Sequence, residues 1–173
     1  MSNPGLTELE LIDSLFIKAD TMYPDDAAEA LLVLCFTLIP YREVPMELPF
    51  GLGTLRYPLP AADLTTYDAK NRNIPRRFLF DSPADHFGDA DKLAHFFGNA
   101  SAAYRMRSNS VVRFFGNFVE LFEKNFNTEA DIDLRDVNIN ELGVRYGWHL
   151  LSQKTVPSVF ITGYNIYHLF FYL

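Results

Sequence analysis

The sequence predicts a mainly α protein, a single-domain helical bundle of about five helices with a long proline-rich crossover and room for one short β-hairpin. Three observations support this. The 173 residues are 49% hydrophobic and 21% charged, which fits one folded domain. Apolar residues recur at steps of three and four in several segments. Prolines and glycines concentrate in one stretch, residues 41–88, between the helical patterns.

Residues 1–40 are predicted to form a pair of helices. Thr7 and Glu10 have the spacing of a capping box, and an apolar stripe follows, so we expect a first helix over residues 8–20. The stripe consists of Leu9, Ile12, Phe16, Ala19 and Tyr23. This helix should pack against the second one.

The second helix should start after Asp26, which has Glu29 three residues later, and should end before Pro40. Because residues 30–39 are apolar nearly all round, we expect this helix at the centre of the core. The single cysteine, Cys35, lies within it and is predicted to be a small buried hydrophobe. One cysteine excludes an intrachain disulfide and a zinc site built on thiolates.

Residues 41–88 are predicted to be an extended crossover that wraps the helices. Six prolines interrupt the segment too often for a long helix. A short hairpin could form around Gly51 and Gly53, with edge-like pairing because prolines flank it. Aromatic and aliphatic side chains later in the segment favour packing on the core, namely Phe78, Leu79, Phe80 and Phe87.

Helical periodicity returns over residues 89–156. One predicted stripe consists of Leu93, Phe97, Ala100 and Tyr104. This stripe indicates a helix over 92–105, and another helix is expected over 111–126. A third is expected to start near Asn138 or Asn140 and to end before Pro157.

Residues 157–173 form an aromatic tail without any Asp, Glu, Lys or Arg. On a helix, one face would carry Phe160, Tyr164, Tyr167 and Phe171. As a helix the 17 residues would extend roughly 25 Å, which is short of the hydrocarbon thickness. The tail could therefore lie in the core or at an interface with a protein partner or a membrane surface.

The charge balance excludes one class of partner. A net charge of -7 argues against nucleic-acid binding, which needs a positive surface. The basic cluster Arg72, Arg76 and Arg77 is short and is predicted to pair with acidic neighbours. The amino terminus has no secretory signal pattern, so we expect a cytoplasmic protein, with membrane association through the tail as an option.

The stretch "DADKLAHFF", residues 89–97, has two interpretations. In the structural one, Asp89 and Asp91 cap a helix and favour its positive end, while His95 is an ordinary polar side chain. In the functional one, Asp91 orients His95, which acts as a base or binds a metal. Two ligands do not make a metal site, so no metal or other cofactor is predicted.

A third group would have to come from elsewhere in the chain. Glu120 and Glu123 are natural suppliers, although Glu120 and Lys124 also have the spacing of an exposed ion pair. Asp136 and Asn140 could likewise be helix-start residues. The common phosphate-binding, dinucleotide, serine-hydrolase and zinc-protease motifs are absent from the sequence.

Three stretches together, "DKLAHFF" (91–97), "VELFE" (119–123) and "RDVNINELG" (135–143), resemble the pattern of the VanZ-like family, small helical membrane proteins of obscure biochemistry. The matching positions, in the same order and spacing, are Asp91, Lys92, His95, Phe96, Glu120, Asp136, Asn140 and Gly143. The resemblance covers residues 89 to about 148. Glu123 stands where the family usually has Gln, and the segments here are too short and polar to span a bilayer, unlike those of the family.

The resemblance implies that polar residues of three elements meet in one pocket, namely Asp91, Lys92, His95, Glu120, Asp136 and Asn140. Such a cluster could serve binding, catalysis or the specificity of the fold, since each buried charge needs a partner. The family does not decide among these roles.

Three functional hypotheses follow. The preferred one is a non-catalytic interaction or structural protein that associates with a membrane or a complex through residues 157–173, which requires that tail to be exposed. The second is a binder of a small molecule or a lipid headgroup at the polar cluster. The third is a metal-assisted or acid–base hydrolase that uses His95 with Glu120 or Asp136. A separation above about 10 Å between these groups would exclude a shared site.

Overall fold

A computed structural model describes residues 5–47, 52–59, 61–107 and 134–171. Within these ranges the chain is mainly α, as predicted, with six helices and one pair of strands. In chain order the elements are α1 (Glu8–Met22), α2 (Ala27–Leu38), β1 (Glu43–Glu47), β2 (Thr54–Pro58), α3 (Leu64–Asn73), α4 (Lys92–Met106), α5 (Leu134–His149) and α6 (Pro157–Phe171). The helix predicted over 111–126 lies outside the described residues.

The first two helices are confirmed together with their caps. Thr7 and Glu10 form the reciprocal capping box of α1. The Asp26 carboxylate accepts a hydrogen bond from the Glu29 N–H at 2.9 Å at the start of α2. The apolar stripe of α1 faces the core, where Phe16 is buried.

The prediction that α2 is central to the core is only partly right. One side of α2 is buried, but Phe36 on the other side is 54% exposed. Cys35 is half-buried and its burial raises the thiol pKa to about 11, in keeping with the predicted packing role. The centre of the molecule is α4, which packs mainly against α5 and α2.

The predicted hairpin is confirmed in its two strands, whereas residues 48–51 of its turn, with Gly51, lie outside the described residues. Strands β1 and β2 pair in antiparallel fashion, with Glu43 opposite Pro58 and Glu47 opposite Thr54. An exposed ion pair joins Glu43 to Arg56 across the strands. Every residue of β2 is exposed, which fits an edge-like strand flanked by prolines.

The crossover is less extended than predicted, because it contains α3. This helix buries none of its residues, so no apolar stripe marks it in the sequence. Asp63 caps its start by accepting a hydrogen bond from the Thr66 N–H at 3.1 Å. The Lys70 ammonium donates to the Ile39 carbonyl just beyond α2 at 2.5 Å. Local capping and polar contacts, which hydrophobic periodicity does not reveal, therefore hold α3.

The predicted pairing of the arginine cluster with carboxylates is wrong: among the described residues, the guanidinium groups of Arg76 and Arg77 bind backbone carbonyls. The Arg76 guanidinium donates to the His86 carbonyl at 2.6 Å, and that of Arg77 donates to the Ala84 carbonyl at 3.0 Å. Arg72 lies exposed on α3. The Asp85 carboxylate of the same loop instead accepts hydrogen bonds from the Phe87 and Gly88 N–H groups at 2.9 and 2.8 Å.

Helices α4 and α5 pack with unusually close backbones. A Cβ atom at Gly143 would come closer than 3.0 Å to the Phe96 carbonyl, and one at Gly147 would do the same at Ala100. These glycines lie one turn apart and let the two helices approach. The large rings of Phe96 and Tyr146 stack beside this contact with 5.2 Å between centroids.

The predicted limits of α5 are wrong at both ends. The helix is already formed at Leu134, before Asn138, and it ends at His149. Pro157 does not close it but opens α6, where its missing N–H costs no hydrogen bond. The Asp13 carboxylate of α1 accepts a hydrogen bond from the Ser158 N–H at 2.9 Å and so fixes this end of α6.

Helix α6 divides into a packed half and an exposed half. Ile161 is buried, and Phe160 and Tyr164 pack against the core. Near the end of the helix, Phe170 is 79% exposed and Phe171 is 71% exposed. No helix in the described ranges combines the length and the apolar run needed to cross a bilayer.

Candidate functional site

A polar cluster lies between the start of α4 and the start of α5. Asp91 precedes α4, and Lys92 and His95 lie one turn apart within it. Asp136 and Asn140, four residues apart, project from the same side of α5. Five of the six predicted cluster residues therefore meet. The sixth, Glu120, lies outside the described residues.

Lys92 is the cation of the cluster. Its ammonium lies 2.6 Å from Asp136 Oδ1 and 3.5 Å from Asp91 Oδ2. Only 4% of its side chain is exposed. A lysine with so little contact with water needs carboxylate partners, and these two supply them across the interface between the helices.

His95 is held from both sides of its ring. Nδ1 lies 3.2 Å from Asn140 Oδ1, and Nε2 lies 3.7 Å from Asp136 Oδ1. Asn99 Nδ2 donates to the same Asn140 oxygen at 2.6 Å. Because that oxygen only accepts, Nδ1 carries the hydrogen, and Nε2 faces the Asp136 carboxylate.

Asn99 is a member of the cluster that sequence reasoning missed. It lies one turn after His95, and its amide also donates to the His95 carbonyl at 2.9 Å. The four-residue spacing from His95 was the available signal. By fixing Asn140, Asn99 determines how the imidazole is oriented.

Asp91 is the member of the cluster with an unsatisfied carboxylate oxygen. Its Oδ1 atom is shielded from solvent and has no hydrogen-bond partner among the described residues. Burial raises the pKa of this carboxyl group, the Lys92 ammonium counteracts the rise, and the Asp136 charge adds to it. The side chain does not cap α4, so the predicted capping role is wrong. The direct contacts that orient His95 come from Asn140 and Asp136 rather than from Asp91.

Asp89 has a different role from the predicted cap. It is fully buried, and its carboxylate accepts hydrogen bonds from the Phe78 and Leu79 N–H groups at 3.0 and 3.1 Å. It also pairs with Arg135, whose guanidinium lies 3.2 Å from Asp81. Asp89 thus ties the crossover to the first turn of α5 beside the cluster.

His149 and His168 are packing groups that lie outside the cluster. His149 Nε2 lies 2.9 Å from the Thr155 hydroxyl oxygen. The ring of His168 stacks on Phe80 with 5.0 Å between centroids. The partners in these two contacts, Thr155 and Phe80, do not belong to the cluster.

Three groups of the cluster have the arrangement of ligands for a metal ion. One ligand atom each from Asp91, His95 and Asp136 lie within 4.8 Å of one another. Ligands bound at about 2.0–2.2 Å to one ion are at most about 4.4 Å apart, so small side-chain rotations suffice. The separation of His95 and Asp136 is also far below the limit of about 10 Å set for a shared site.

Comparisons with family models, curated proteins and solved structures gave no match for this chain. The resemblance to the VanZ-like family therefore stays a prediction that rests on the spacing of the residues named above.

Proposed function

We propose that the chain binds a divalent metal ion through Asp91, His95 and Asp136 and belongs to the metal-assisted hydrolase class of activity. One observation carries the proposal. The three ligand groups converge within 4.8 Å from two helices. We also propose that the chain is related to the VanZ-like family, because its cluster residues have the spacing of that family's pattern.

The charges of the described cluster favour a cation. Two carboxylates, Asp91 and Asp136, face the single ammonium of Lys92. Asp91 Oδ1 has no hydrogen-bond donor among the described residues, and desolvation disfavours its ionised form. A bound cation would offset that desolvation and occupy the bare oxygen.

The hydrogen bonding of His95 also favours a ligand role. Asn140 accepts the Nδ1 hydrogen, which leaves the Nε2 lone pair directed toward the carboxylates in the neutral ring. Metal-bound histidines commonly have such a partner on the second ring nitrogen.

The donor set indicates the kind of ion and chemistry. Two carboxylate oxygens and one imidazole nitrogen suit Zn²⁺, Mn²⁺ or Fe²⁺ better than a soft ion such as Cu⁺, which prefers sulfur ligands. Three protein ligands leave a coordination position for water, as in catalytic sites. Lys92 would hold Asp136 in place, and its proximity would limit the affinity because it competes for the same carboxylate.

Metal analysis of the full chain tests the proposal. After chelator treatment and dialysis against Zn²⁺ or Mn²⁺, we expect about one ion per chain, and at least about tenfold weaker binding in His95→Gln and Asp91→Asn. His86→Gln is the matched control, because His86 is exposed and outside the cluster. Binding by the control and by the two variants alike would place the ion elsewhere. No binding by the unmodified chain would leave the cluster a structural network.

A second candidate function, association with a partner through α6, is favoured by its exposed apolar side. Val159 is 56% exposed and Ile166 is 52% exposed, and the helix has no charged residue except for the titratable His168. Exposed apolar surface on a folded domain commonly marks an interaction site. If α6 binds a partner, the unmodified chain should associate and an acidic substitution on this side of the helix should abolish the association. An association that survives the substitution would contradict this function.

A further inference from the structure

The outward side of α6 has the pattern of a helix that packs against another helix. Val159, Gly163, Ile166 and Phe170 are all exposed and follow at steps of four, three and four. These steps place them in one row along the helix. The buried side, centred on Ile161, faces the domain's own core. The exposed row is thus a second packing surface, opposite to the first.

The centre of this row is open to close approach. A Cβ atom at Gly163 would meet nothing within 4 Å. Beside it lies a groove of about 400 Å³ between α5 and α6, lined by Leu142, Val159 and Tyr167 among others. A small residue at the middle of an apolar row lets a second backbone come near, while the larger residues on either side interdigitate.

The charges of α6 favour a second copy over an anionic lipid surface. The chain carries a net charge of -7, so most contacts between two copies, or with an anionic lipid surface, bring like charges together. Residues 157–173 contain no Asp, Glu, Lys or Arg. Arg145 at the groove is paired with Glu141 at 3.2 Å. Helices that lie on membranes usually carry basic residues on the polar side, which α6 lacks.

We propose that two copies of this chain associate by packing the outward rows of their α6 helices against each other about a two-fold axis near Gly163. The inference rests on the second candidate function and names its partner. A two-fold arrangement brings the same row of each copy into contact, so one apolar surface covers both. It also removes the exposed rings from water without apposing like charges.

Sedimentation velocity on the full chain, over about 1–100 μM, tests the proposal. We expect a dimer whose dissociation constant rises at least about tenfold in Ile166→Glu and in Phe170→Glu. Ile17→Glu is the matched control, since Ile17 on α1 is 53% exposed, nearly as much as Ile166. All three positions are exposed, and thermal melts monitored by circular dichroism would verify folding. A dimer unaffected by both α6 variants, or equally weakened by the control, would overturn the proposal.

Flotation with phosphatidylcholine vesicles separates this inference from the function on which it rests. If the unmodified chain is a monomer that floats with the vesicles, and Phe170→Glu abolishes flotation, the second copy is the wrong occupant but association through α6 survives. If the unmodified chain is a monomer at every concentration and does not float, the dimer is contradicted, and neither a second copy nor a zwitterionic lipid surface is the partner of α6. A dimer that does not float supports both.

Discussion

Asp91 illustrates the competition between ionisation and burial at the scale of one residue. Its carboxylate keeps only a 3.5 Å contact with Lys92, while Lys92 makes its shorter bond to Asp136. An acceptor that is cut off from water and left without a donor costs about 1–3 kcal/mol. Buried charges of this kind are often kept where they serve a function, and the use that we propose for this one is cation binding.

Asp91→Asn should therefore raise the thermal stability of the metal-free protein at neutral pH. Because burial raises the Asp91 pKa above its usual value near 3.8, the native state binds this proton more tightly than the unfolded chain does. Stability due to this group is then lost as the pH rises from the unfolded value through the folded one. Asn cannot ionise, so the loss disappears.

Thermal melts of the metal-free protein and Asp91→Asn between about pH 3 and pH 7 would measure this effect. Each kcal/mol corresponds to about 2–4 °C in Tm for a chain of this size. We expect the two curves to converge at the acid end and the variant to melt higher at neutral pH. A variant that melts lower at neutral pH would show that the charged carboxylate stabilises the metal-free fold.

At the scale of the elements, predictability follows from which interactions form each helix. Helix α1 was predictable because a local cap and an apolar stripe coincide over the same residues. Helix α3 was not, because it has no buried residue and depends on polar contacts with carbonyls just after α2. The start of α5 is not predictable from its asparagines, because Asn140 is not a helix-start residue and instead contacts His95 in the cluster.

The contact between α4 and α5 gives a prediction at this scale. Gly143→Ala would press a methyl group against the Phe96 carbonyl, and backbone cannot rotate away as a side chain can. We expect a loss of about 1–3 kcal/mol in the free energy of unfolding measured with urea, and weaker metal binding because the helices that hold the ligands must separate. Gly163→Ala, in open space on α6 of the monomer, should instead be neutral or stabilise by up to about 1 kcal/mol when unfolding is measured at concentrations below those at which the proposed dimer forms. Equal effects at the two glycines would contradict the close packing.

At the scale of the whole molecule, two helices carry the candidate site and a third carries the candidate interface. Helix geometry alone relates Asp91 to His95 and Asp136 to Asn140, because residues one turn apart share a helix face. Only the resemblance to the VanZ-like pattern implies that these two pairs and Lys92 meet. The separation of functions was not predictable, since the exposure of the outward side of α6 depends on which side of an all-apolar helix the core happens to cover. The packing of α6 against the core, rather than the periodicity of its residues, therefore determines which side is exposed.

The central claim is that Asp91, His95 and Asp136 hold one ion, and anomalous X-ray scattering from crystals grown with Zn²⁺ or Mn²⁺ tests it most directly. Data collected at the absorption edge should show a peak about 2.0–2.2 Å from one carboxylate oxygen of each aspartate and from His95 Nε2. This peak should be absent from crystals of His95→Gln. Fully bound ions found only at other positions, or a cluster that stays free of metal at saturating concentrations, would contradict the account.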